Sequence, residues 1–347
     1  MRFLIFNVGS ATIKYTFYEN NKFSTENEKY YKNYDELESI VKKILRENYS
    51  DVIIHRVVHG GDLKNCLISD KVLKEIEKFN ELAPLHNIPQ VKVIKLCKRL
   101  SKAKQIAIFD SAFFLDMPEI AKQYALPMKI SKKLKIRRYG FQGINHFYLA
   151  DKIKKILNRD VKLITCHLGG GCSITAWQGL KPLDTSMGFT PLEGIPMVTR
   201  TGSIDPFIPL YLEKKLKLNA DKINDLLNKE SGLFGLTGTK DVKAIVENKK
   251  YSKAFELFCY HIAKKISSYV SVLNGLDVLV FSAGIGERSS STRERICKYL
   301  ECFGLKLDHT KNLKNQEIIS SKESKIKVFV IPANEKEIML REAKKLL

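Results

Sequence analysis

The chain has 347 residues and a mass of 39.7 kDa, which is more than one hydrophobic core normally serves, so two domains are expected. Because 44% of the residues are hydrophobic and 10% are aromatic, the composition excludes fibrous and disordered proteins. No apolar stretch reaches the roughly 18 residues of a membrane span, and the apolar N-terminal run lacks the cleavage site of a signal peptide. We therefore expect a cytoplasmic protein that does not enter a membrane.

The net charge is +21, from 59 basic and 38 acidic residues. A polyanionic partner is one explanation. Most of the excess, however, is lysine scattered along helical segments such as 71–78, 92–104 and 152–155, where lysines alternate with apolar residues at helical spacing. No zinc finger, paired-aromatic RNA-binding motif or homeodomain-like helix is visible in the sequence. The pattern therefore favours solvated helix faces over a nucleic-acid groove.

The seven cysteines are an odd number, include no C-x-x-C pair and lie mostly in apolar stretches. These features predict reduced thiols in the core. A structural zinc site at Cys166, His167 and Cys172 is the alternative, which we disfavour.

In chain order, the first elements are two strands, at 2–6 and 12–18, around a turn at Gly9-Ser10. In the second strand apolar and polar residues alternate with the period of a half-buried antiparallel strand, so a β-hairpin is predicted. Further strands are predicted at 51–58, 105–110, 161–167, 171–177, 276–282 and 325–331. The clearest helix, 252–273, carries an apolar stripe and ends before Gly275. Another begins at Asp205-Pro206, since Asp caps helices and Pro is tolerated at their first position.

The opening pattern of strand, glycine turn and alternating strand recurs at 161–177. Two similar α/β domains around a cleft explain this repetition better than a single doubly wound sheet. We place the N-terminal domain at 1–112, with a returning C-terminal helix at 336–347, and the C-terminal domain at 113–335.

Three glycine turns follow predicted strands, at residues 7–10, 167–172 and 282–287. Glycine lets backbone N–H groups converge on an anion at distances that a Cβ atom would forbid. One such turn alone is typical of an ordinary β-turn, whereas three within a repeated framework indicate a nucleotide held between domains. The Rossmann and P-loop patterns are absent from the sequence.

Four polar side chains are embedded in apolar sequence: Arg56, His86, Asp110 and Arg200. An arginine in such a place needs an anion, because its charge is not removed by deprotonation. A buried ion pair is the alternative explanation for either arginine alone. Together with Asp110 and Glu335, the two arginines predict a site that handles a carboxylate, a phosphoryl group and a divalent metal.

Ten segments resemble, in the same order, signature segments of the acetate kinases: NVGSATIK, HRVVHGG, LAPLHN, FDSAFF, RRYGFQGINH, HLGGGCSITA, DTSMGFTPLEGIPMVTRTGSIDP, SGLFGLTGTKD, FSAGIGE and VIPANEKE. The resemblance covers nearly the whole chain, and the long segment 184–206 is highly specific by itself. It implies two duplicated RNase H-like domains with an actin-like ATPase fold. It also implies a homodimer that uses Mg²⁺, or Mn²⁺ in its place, and reversible transfer of the γ-phosphoryl group of ATP to acetate.

The resemblance also assigns site residues in four groups. The catalytic residues are Asp110, Arg56, Arg200, Gln142, His86 and His167. The ATP-binding residues are Ser10, Lys14, His167, Leu168, Gly169, Gly170, Gly171, Asp241, Val242, Lys243, Gly284, Ile285, Gly286, Glu287 and Arg288. The acetate-binding residues are Arg56, Val58, Leu85, Phe141 and Pro191, and the metal ligands are Asn7 and Glu335.

The sequence departs from the family pattern at functional positions. Gln142 stands where the family has a histidine that donates to the transferring phosphoryl group, and Gly170 stands where it has an asparagine. Arg288 and Lys243 replace an asparagine and an arginine at the adenosine pocket. Losing one transition-state donor typically costs roughly 10²–10³ in rate, which a neutral glutamine amide compensates only in part.

Three functions therefore stay open. The first is an acetate kinase that uses direct in-line transfer. The second is a kinase of propionate or another short-chain acid, because a methylene is worth only about 1–3 kcal/mol of discrimination. The third is a catalytically weakened homologue that still binds nucleotide.

Overall fold

A computed structural model describes all residues, Met1–Leu347, and divides the chain into two compact units. The first unit consists of Met1–Leu115, Phe141–Tyr148 and Asn334–Leu347, and the second of Asp116–Gly140 and Leu149–Ala333. The domain boundaries from the sequence stay a prediction. These units differ from the predicted domains mainly at residues 141–148, which the sequence analysis placed in the C-terminal domain.

Twelve strands and fifteen α-helices follow one another along the chain. The strands are β1 (Phe3–Val8), β2 (Thr12–Glu19), β3 (Lys22–Phe23), β4 (Asn27–Tyr30), β5 (Val52–Val57), β6 (Cys66–Leu67), β7 (Lys104–Phe109), β8 (Lys162–Leu168), β9 (Cys172–Gln178), β10 (Lys181–Thr185), β11 (Val278–Ser282) and β12 (Lys327–Val330). The helices are α1 (Tyr34–Glu47), α2 (Asp70–Glu77), α3 (Pro84–Leu100), α4 (Glu119–Lys122), α5 (Met128–Leu134), α6 (Gly143–Leu157), α7 (Phe207–Leu216), α8 (Ala220–Lys229), α9 (Gly232–Thr237), α10 (Val242–Glu247), α11 (Ser252–Leu273), α12 (Ala283–Arg288), α13 (Ser290–Tyr299), α14 (His309–Leu313) and α15 (Glu335–Lys344).

The sheet of the first unit has the order β3-β2-β1-β5-β7-β6, with β4 also paired to β2. The hairpin β1–β2 is antiparallel, as predicted, and β1, β5 and β7 are parallel neighbours. These three central strands are almost entirely buried, as expected of parallel strands covered on both faces. Helices α1 and α3 supply part of the core on one side, and α15 contacts β1, β5 and β7.

The second unit repeats this plan with the strand order β10-β9-β8-β11-β12. Its hairpin β8–β9 is antiparallel, and β8, β11 and β12 are parallel. Two sheets, each built from a hairpin followed by parallel strands, confirm the predicted duplicated α/β fold class. The predicted helix 252–273 matches α11, whose apolar stripe is buried and whose chain turns away through Asn274 and Gly275 at positive φ.

The helix predicted to begin at Asp205-Pro206 is α7. The helix begins at Phe207 with Pro206 at its N-cap, one residue later than predicted, and the Asp205 side chain just before it accepts the N–H of Phe207 at 2.8 Å. None of the fifteen helices combines the length and the apolar character needed to cross a membrane. The seven cysteines are free thiols, and five of them are buried.

Candidate active site

In the first unit, three of the predicted polar residues lie where the parallel strands end. Asn7 is near the end of β1, Arg56 is near the end of β5, and Asp110 directly follows β7. Carboxyl ends of parallel neighbours meet at one edge of a sheet, which is where ligands of open α/β sheets bind. Glu335 joins them as the first residue of α15.

Arg56 connects this group through four hydrogen bonds. Its Nε and Nη2 donate to Oδ2 of Asp110 at 3.1 and 2.8 Å. Its Nη1 donates to Oδ1 of Asn7 at 3.2 Å and to Oε2 of Glu335 at 3.0 Å, and Nδ2 of Asn7 donates to the same Glu335 oxygen at 2.7 Å. A guanidinium has five N–H donors, so one hydrogen on Nη2 is not used within the group.

Burial and charge pairing act against each other in this group. Burial opposes the charge on Arg56, but Asp110 and Glu335 outweigh it and raise the pKa of the guanidinium above its usual range. Burial also raises the pKa of Glu335, with Arg56 opposing that shift and Asp110 adding to it. Two carboxyl groups beside one arginine leave an excess of negative charge when both are ionised.

Asp110 is fully buried, and its second oxygen faces the start of α6. The N–H of Ile144 donates to Oδ1 of Asp110 at 3.3 Å. This approach requires glycine at position 143, since a Cβ atom there would lie 2.1 Å from the Asp110 carbonyl oxygen. Gln142, which precedes it, has a left-handed backbone with φ of 58°. Such a conformation is unfavourable for a residue with a side chain and is often found at functional sites.

The predicted acyl pocket residues of the first unit lie just beyond β5, in the first turn of α3 and just before α6. The N–H of Val58 donates to Gln90, whose amide in turn donates to the carbonyl of Val8, at 3.0 Å each. Phe141 is buried and contacts the His59 ring edge-on, with 5.1 Å between centroids. Gln90 therefore ties the ends of β1 and β5 together.

Leu85 and His86 follow one another in the first turn of α3, and both are half-buried. The N–H of His86 donates to the carbonyl of Ala83 at 3.0 Å.

The first glycine turn lies between β1 and β2. The N–H of Gly9 donates to the Thr12 carbonyl at 2.8 Å, and the Tyr31 hydroxyl donates to the Gly9 carbonyl. Ser10 is exposed at the tip, and the ammonium group of Lys14 is 3.8 Å from Glu28 on β4. The hydrogen bonds of Gly9 thus fix the base of the turn, while Ser10 at its tip is exposed to solvent.

In the second unit, the phosphate loop predicted at residues 167–171 begins with the last two residues of β8. The N–H of Gly169 donates to the Gly171 carbonyl at 3.1 Å, and the N–H of Val198 donates to the Gly170 carbonyl at 3.3 Å. The Cys172 thiol donates to the Gly169 carbonyl at 3.2 Å. A Cβ atom at Gly170 would meet no atom within 4 Å, so a side chain fits at this position.

Arg200 and Pro191 are also brought together in the second unit. Nη1 of Arg200 donates to the Pro191 carbonyl at 3.4 Å and lies 3.7 Å from the Met197 sulfur. Burial lowers the pKa of Arg200, with the Cys172 thiol opposing the shift. The guanidinium is therefore an anchored cation in partly dehydrated surroundings.

A polar network that the sequence analysis missed holds the segment around Pro191. Arg138 donates to the carbonyls of Thr185 and Ser186 at 3.0 and 3.2 Å and to Oε1 of Glu193 at 2.6 Å. The Tyr124 hydroxyl donates to the other Glu193 oxygen and accepts the N–H of Phe189 at 2.8 Å. The embedded arginine of RRYGFQG was the available signal.

The two predicted adenosine-pocket segments differ in how they are held. Asp241 caps α10 by accepting the N–H groups of Lys243 and Ala244 at 2.9 and 3.2 Å, and the Lys243 side chain is exposed. The other segment, Gly284–Arg288, lies within the short helix α12 after β11. A Cβ atom at Gly284 would meet nothing within 4 Å, so this position is open.

Asn7 and Glu335 are the Mg²⁺ ligands that the resemblance predicts. Their side chains are in hydrogen-bonding contact and carry amide and carboxylate oxygens, two of which also accept hydrogen bonds from Nη1 of Arg56. Mg²⁺ usually takes only one or two protein oxygens and completes its shell with water and phosphate.

Comparison with known protein families identifies the family of the chain, because the Acetokinase family model matches residues 34–341. The chain belongs to the acetokinase family. The predicted family is thereby confirmed, and with it the class of enzyme, a kinase. The individual residue roles stay predictions.

Among the acetokinase relatives, an acetate kinase of Carboxydothermus hydrogenoformans is 42% identical over 332 residues, which cover 90% of this chain and 83% of that protein. The solved propionate kinase of Francisella tularensis has 34% identity and a TM-score of 0.92 over the full length of both chains. The solved acetate kinase of Porphyromonas gingivalis has 31% identity and a TM-score of 0.86 over 99% of each chain.

The predicted residues of this acetokinase thus form two groups. Asn7, Arg56, Asp110 and Glu335 are directly connected in the first unit, and Arg200 contacts Pro191 in the second. Arg56 and Arg200 belong to different units, so their joint action on one substrate stays a prediction.

Proposed function

We propose that the chain catalyses reversible transfer of the γ-phosphoryl group of ATP to acetate, with acetyl phosphate and ADP as products. The observation that carries the proposal is the anchored Arg56, whose four hydrogen bonds fix the guanidinium and leave one N–H for a substrate oxygen. Several curated relatives at 40–44% identity are acetate kinases, which supports acetate as the acceptor.

The proposed reaction needs no covalent intermediate on the protein. An acetate oxygen attacks the γ-phosphorus in line with the departing ADP oxygen, and the carboxylate needs no base because it is already ionised at neutral pH. Arg56 and Arg200 reduce the repulsion between the two anions and stabilise the charge of the transferring group. Asp110 keeps the Arg56 guanidinium in a fixed orientation.

Within this proposal, Asn7 and Glu335 hold Mg²⁺, with Mn²⁺ as a substitute. The ion supplies positive charge to the phosphate oxygens. Ser10, Lys14 and the loop 167–171 take the phosphate end of ATP, and the segments 241–243 and 284–288 take the adenosine. His86, His167 and Gln142 complete the catalytic group.

Propionate is the second candidate acceptor, because this chain resembles the propionate kinase of Francisella tularensis along its full length. Val58, Leu85, Phe141 and Pro191 are the proposed contacts of the acyl chain. One methylene changes discrimination by about 1–3 kcal/mol, so relative kcat/KM values over a series of acids separate the two candidates.

A weakened nucleotide-binding homologue is the third candidate, and the observation that favours it is Gln142. The Gln142 side chain is a neutral amide, so any hydrogen bond that it donates lacks the charge of a histidinium. The Gln142 backbone is also in the left-handed conformation. ATP binding without acyl phosphate formation would identify this function.

We also propose that the chain acts as a homodimer in the cytoplasm. Helix α7 supports the dimer, because it has no buried residue and carries Phe207, Leu210 and Tyr211 on one face, with 63, 58 and 50% of their surface exposed. Contiguous exposed apolar surface is typical of a protein interface. Conversion of a dimer to a monomer by Leu210→Asp, measured by light scattering, tests this point.

The decisive experiment traps acyl phosphate with hydroxylamine in the presence of ATP, Mg²⁺ and a series from formate to butyrate. We expect product with the highest kcat/KM for acetate. Arg56→Ala should lose at least about 10² in kcat, as expected for a group that stabilises transition-state charge. Arg99→Ala is the matched control, because Arg99 is an exposed arginine of the same unit that pairs with Glu38. Absence of product with every acid would contradict the proposal.

A further inference from the structure

Arg293 is an arginine in the second unit that none of the functional assignments includes. It lies on α13 and its side chain is fully buried, with 0% of its surface exposed. The sequence around it, TRERICKYL, is polar and carries a second arginine two residues later. Nothing in this pattern distinguishes Arg293 from an ordinary surface residue, so its burial is a finding of the structure.

All five N–H groups of Arg293 donate hydrogen bonds, and every acceptor is neutral. Nη1 donates to the carbonyls of Gly286 and Glu287 at 2.8 and 3.0 Å. Nε and Nη2 donate to the side-chain and backbone oxygens of Asn312, both at 2.8 Å, and Nη2 also donates to Oδ1 of Asn315 at 2.6 Å. The guanidinium therefore joins α12 to α14 and the residues after it.

A buried cation without a carboxylate partner is costly, because burial removes its hydration. The cost is visible in the pKa of Arg293, which burial lowers to about 10, with Cys297 opposing the shift. An apolar side chain would avoid this cost. An apolar side chain would, however, provide no donors for the carbonyls of Gly286 and Glu287. These carbonyls lie in the last turn of α12, where carbonyls have no hydrogen-bond partner within the helix.

The carbonyls that Arg293 holds belong to the segment Gly284–Arg288. The segment is anchored from one more direction, since Oε1 of Glu287 accepts the N–H of Ala333 at 2.9 Å. Gly284 is exposed and has open space around it, whereas Gly286 is buried against Phe281 and Leu168. The segment thus has one side fixed by the protein and one side free for a ligand.

We propose that Arg293 is a positioning residue for the nucleotide: it holds the peptide groups of Gly286 and Glu287 so that Gly284–Arg288 keeps the shape that receives the adenosine of ATP. This inference rests on the proposed function, which places adenosine at that segment. It acts on the nucleotide alone, so its loss changes nucleotide affinity and leaves affinity for the acyl acid unchanged.

The experiment compares Arg293→Lys with Arg295→Lys in the full-length chain. Arg295 is two residues away on the same helix, but it is exposed and pairs through Nε and Nη2 with Glu256 at 2.6 Å each. A lysine at position 293 keeps the charge and loses the five-donor geometry. The readouts are the Kd for ADP by calorimetry, KM for ATP and for acetate, and the midpoint of thermal unfolding.

For Arg293→Lys we expect the Kd for ADP and the KM for ATP to rise about tenfold or more, as loss of charged hydrogen bonds predicts, with KM for acetate within about twofold. Arg295→Lys should leave all three constants within about twofold. Equal changes in both KM values, or no change in the Kd for ADP in folded protein, would overturn the proposal.

Asn315→Gly provides a second variant if Arg293→Lys does not fold. Asn315 has φ of 48°, which glycine adopts without strain, and the change removes one acceptor of Arg293. We expect a rise of about two- to fivefold in the Kd for ADP, the size of one lost hydrogen bond. An unchanged Kd would count against the role of Arg293.

The outcomes separate this inference from the proposed function. If the wild-type chain binds ADP but makes no acyl phosphate, acetate kinase activity is wrong, and the ADP affinities of the variants still decide the role of Arg293. If the wild-type chain binds neither ATP nor ADP, both proposals are overturned.

Discussion

Arg56 and Asp110 are joined by two hydrogen bonds, from Nε and Nη2 of the guanidinium to a single carboxylate oxygen, at 3.1 and 2.8 Å. The other oxygen of Asp110 accepts the N–H of Ile144 at the start of α6. Asp110 therefore links the arginine of β5 to the helix that follows Gln142. A change at Arg56 consequently leaves a fully buried carboxylate without its cation.

We predict that Arg56→Ala lowers the free energy of unfolding by about 3–5 kcal/mol at neutral pH, the loss typical of breaking a buried ion pair. Without the guanidinium, the pKa of Glu335, which burial already raises against the influence of Arg56, rises further in the folded state. Carboxyl groups with raised folded-state pKa values stabilise the fold below their unfolded pKa, and this contribution is lost as pH rises. The deficit relative to wild type should therefore shrink between pH 7 and pH 5.

Urea unfolding at the two pH values measures this deficit. Arg99→Ala is the control, because its exposed pair with Glu38 is expected to contribute about 1 kcal/mol or less. A deficit that grows on acidification would contradict the assigned pairing.

Glu335→Gln should have the opposite effect from Arg56→Ala at neutral pH, since we expect it to raise the free energy of unfolding relative to wild type. Burial, aided by Asp110, raises the pKa of Glu335 above its ordinary value of 4.5 against the influence of Arg56. The stability that protonated Glu335 contributes is present below pH 4.5 and is lost as pH rises through the raised pKa. Glutamine stays neutral, so the variant should gain stability relative to wild type as pH increases from 4.5 to 7.

Thermal unfolding of both proteins across this pH range tests the prediction in the absence of metal. Addition of Mg²⁺ with ATP should then stabilise wild type more than Glu335→Gln, since the variant lacks the carboxylate. Equal stabilisation by Mg²⁺ with ATP would exclude Glu335 as a metal ligand.

The regular part of the fold was predictable because it depends on local periodicity. The alternation along β2 predicts the hairpin, and the apolar stripe of α11 predicts that helix with the same first and last residues as in the structure. The polar residues Arg56 and Asp110 stood out because they interrupt apolar strands. Their mutual contact was not predictable, since it depends on the parallel pairing of β5 with β7, whose residues are about 50 positions apart.

Long-range polar contacts and unusual backbone conformations explain what the sequence did not reveal. Arg293 sits in a polar segment and is buried only because α12 and α14 pack around it. The left-handed φ of Gln142 immediately precedes the close approach of Gly143 to Asp110, a long-range contact that a local pattern does not encode. The network of Arg138 joins residues 55 positions apart.

Replacement of Gln142 separates strain from catalysis. Gln142→Gly relieves the left-handed backbone, so we expect stability to stay equal or to rise by up to about 1 kcal/mol. Loss of the amide should nevertheless lower kcat by about 10–10². Gln142→His should raise kcat above that of wild type, because a histidinium donates a stronger hydrogen bond than a neutral amide.

Acyl phosphate formation and thermal unfolding are measured together on both variants. A glycine variant with wild-type kcat would mean that the Gln142 side chain takes no part in transfer. A histidine variant without gain would mean that the surrounding residues have adapted to glutamine.

Gly170→Asn should add a phosphate contact without a structural cost. A Cβ atom at this position meets no atom within 4 Å, and the residue is exposed in the loop after β8. We expect an unfolding midpoint unchanged from wild type and a KM for ATP that falls about two- to tenfold, the value of one hydrogen bond to a charged group. Gly188→Asn is the contrasting control, since a Cβ atom there would lie 1.6 Å from a Glu193 oxygen and should destabilise the fold.

The network of Arg138, Glu193 and Tyr124 leads to a prediction about the acyl acid. Arg138 and Tyr124 both bind Glu193, and Tyr124 also accepts the N–H of Phe189, two residues before the Pro191 carbonyl that Arg200 binds. Arg138→Lys keeps the charge but loses the planar set of donors. The segment around Pro191 should then loosen, which raises KM for acetate about fivefold or more while KM for ATP changes less than twofold.

This pattern is the reverse of the one expected for Arg293→Lys, so the two variants control for each other in one set of assays. A general loss of rigidity in the second unit would raise both KM values in both variants. Opposite selectivity, with acetate affected through Arg138 and ATP through Arg293, would show that two separate polar networks support the two substrates. If Arg138→Lys changed KM for ATP as strongly as KM for acetate, the Glu193 network would have no specific connection to the acyl pocket.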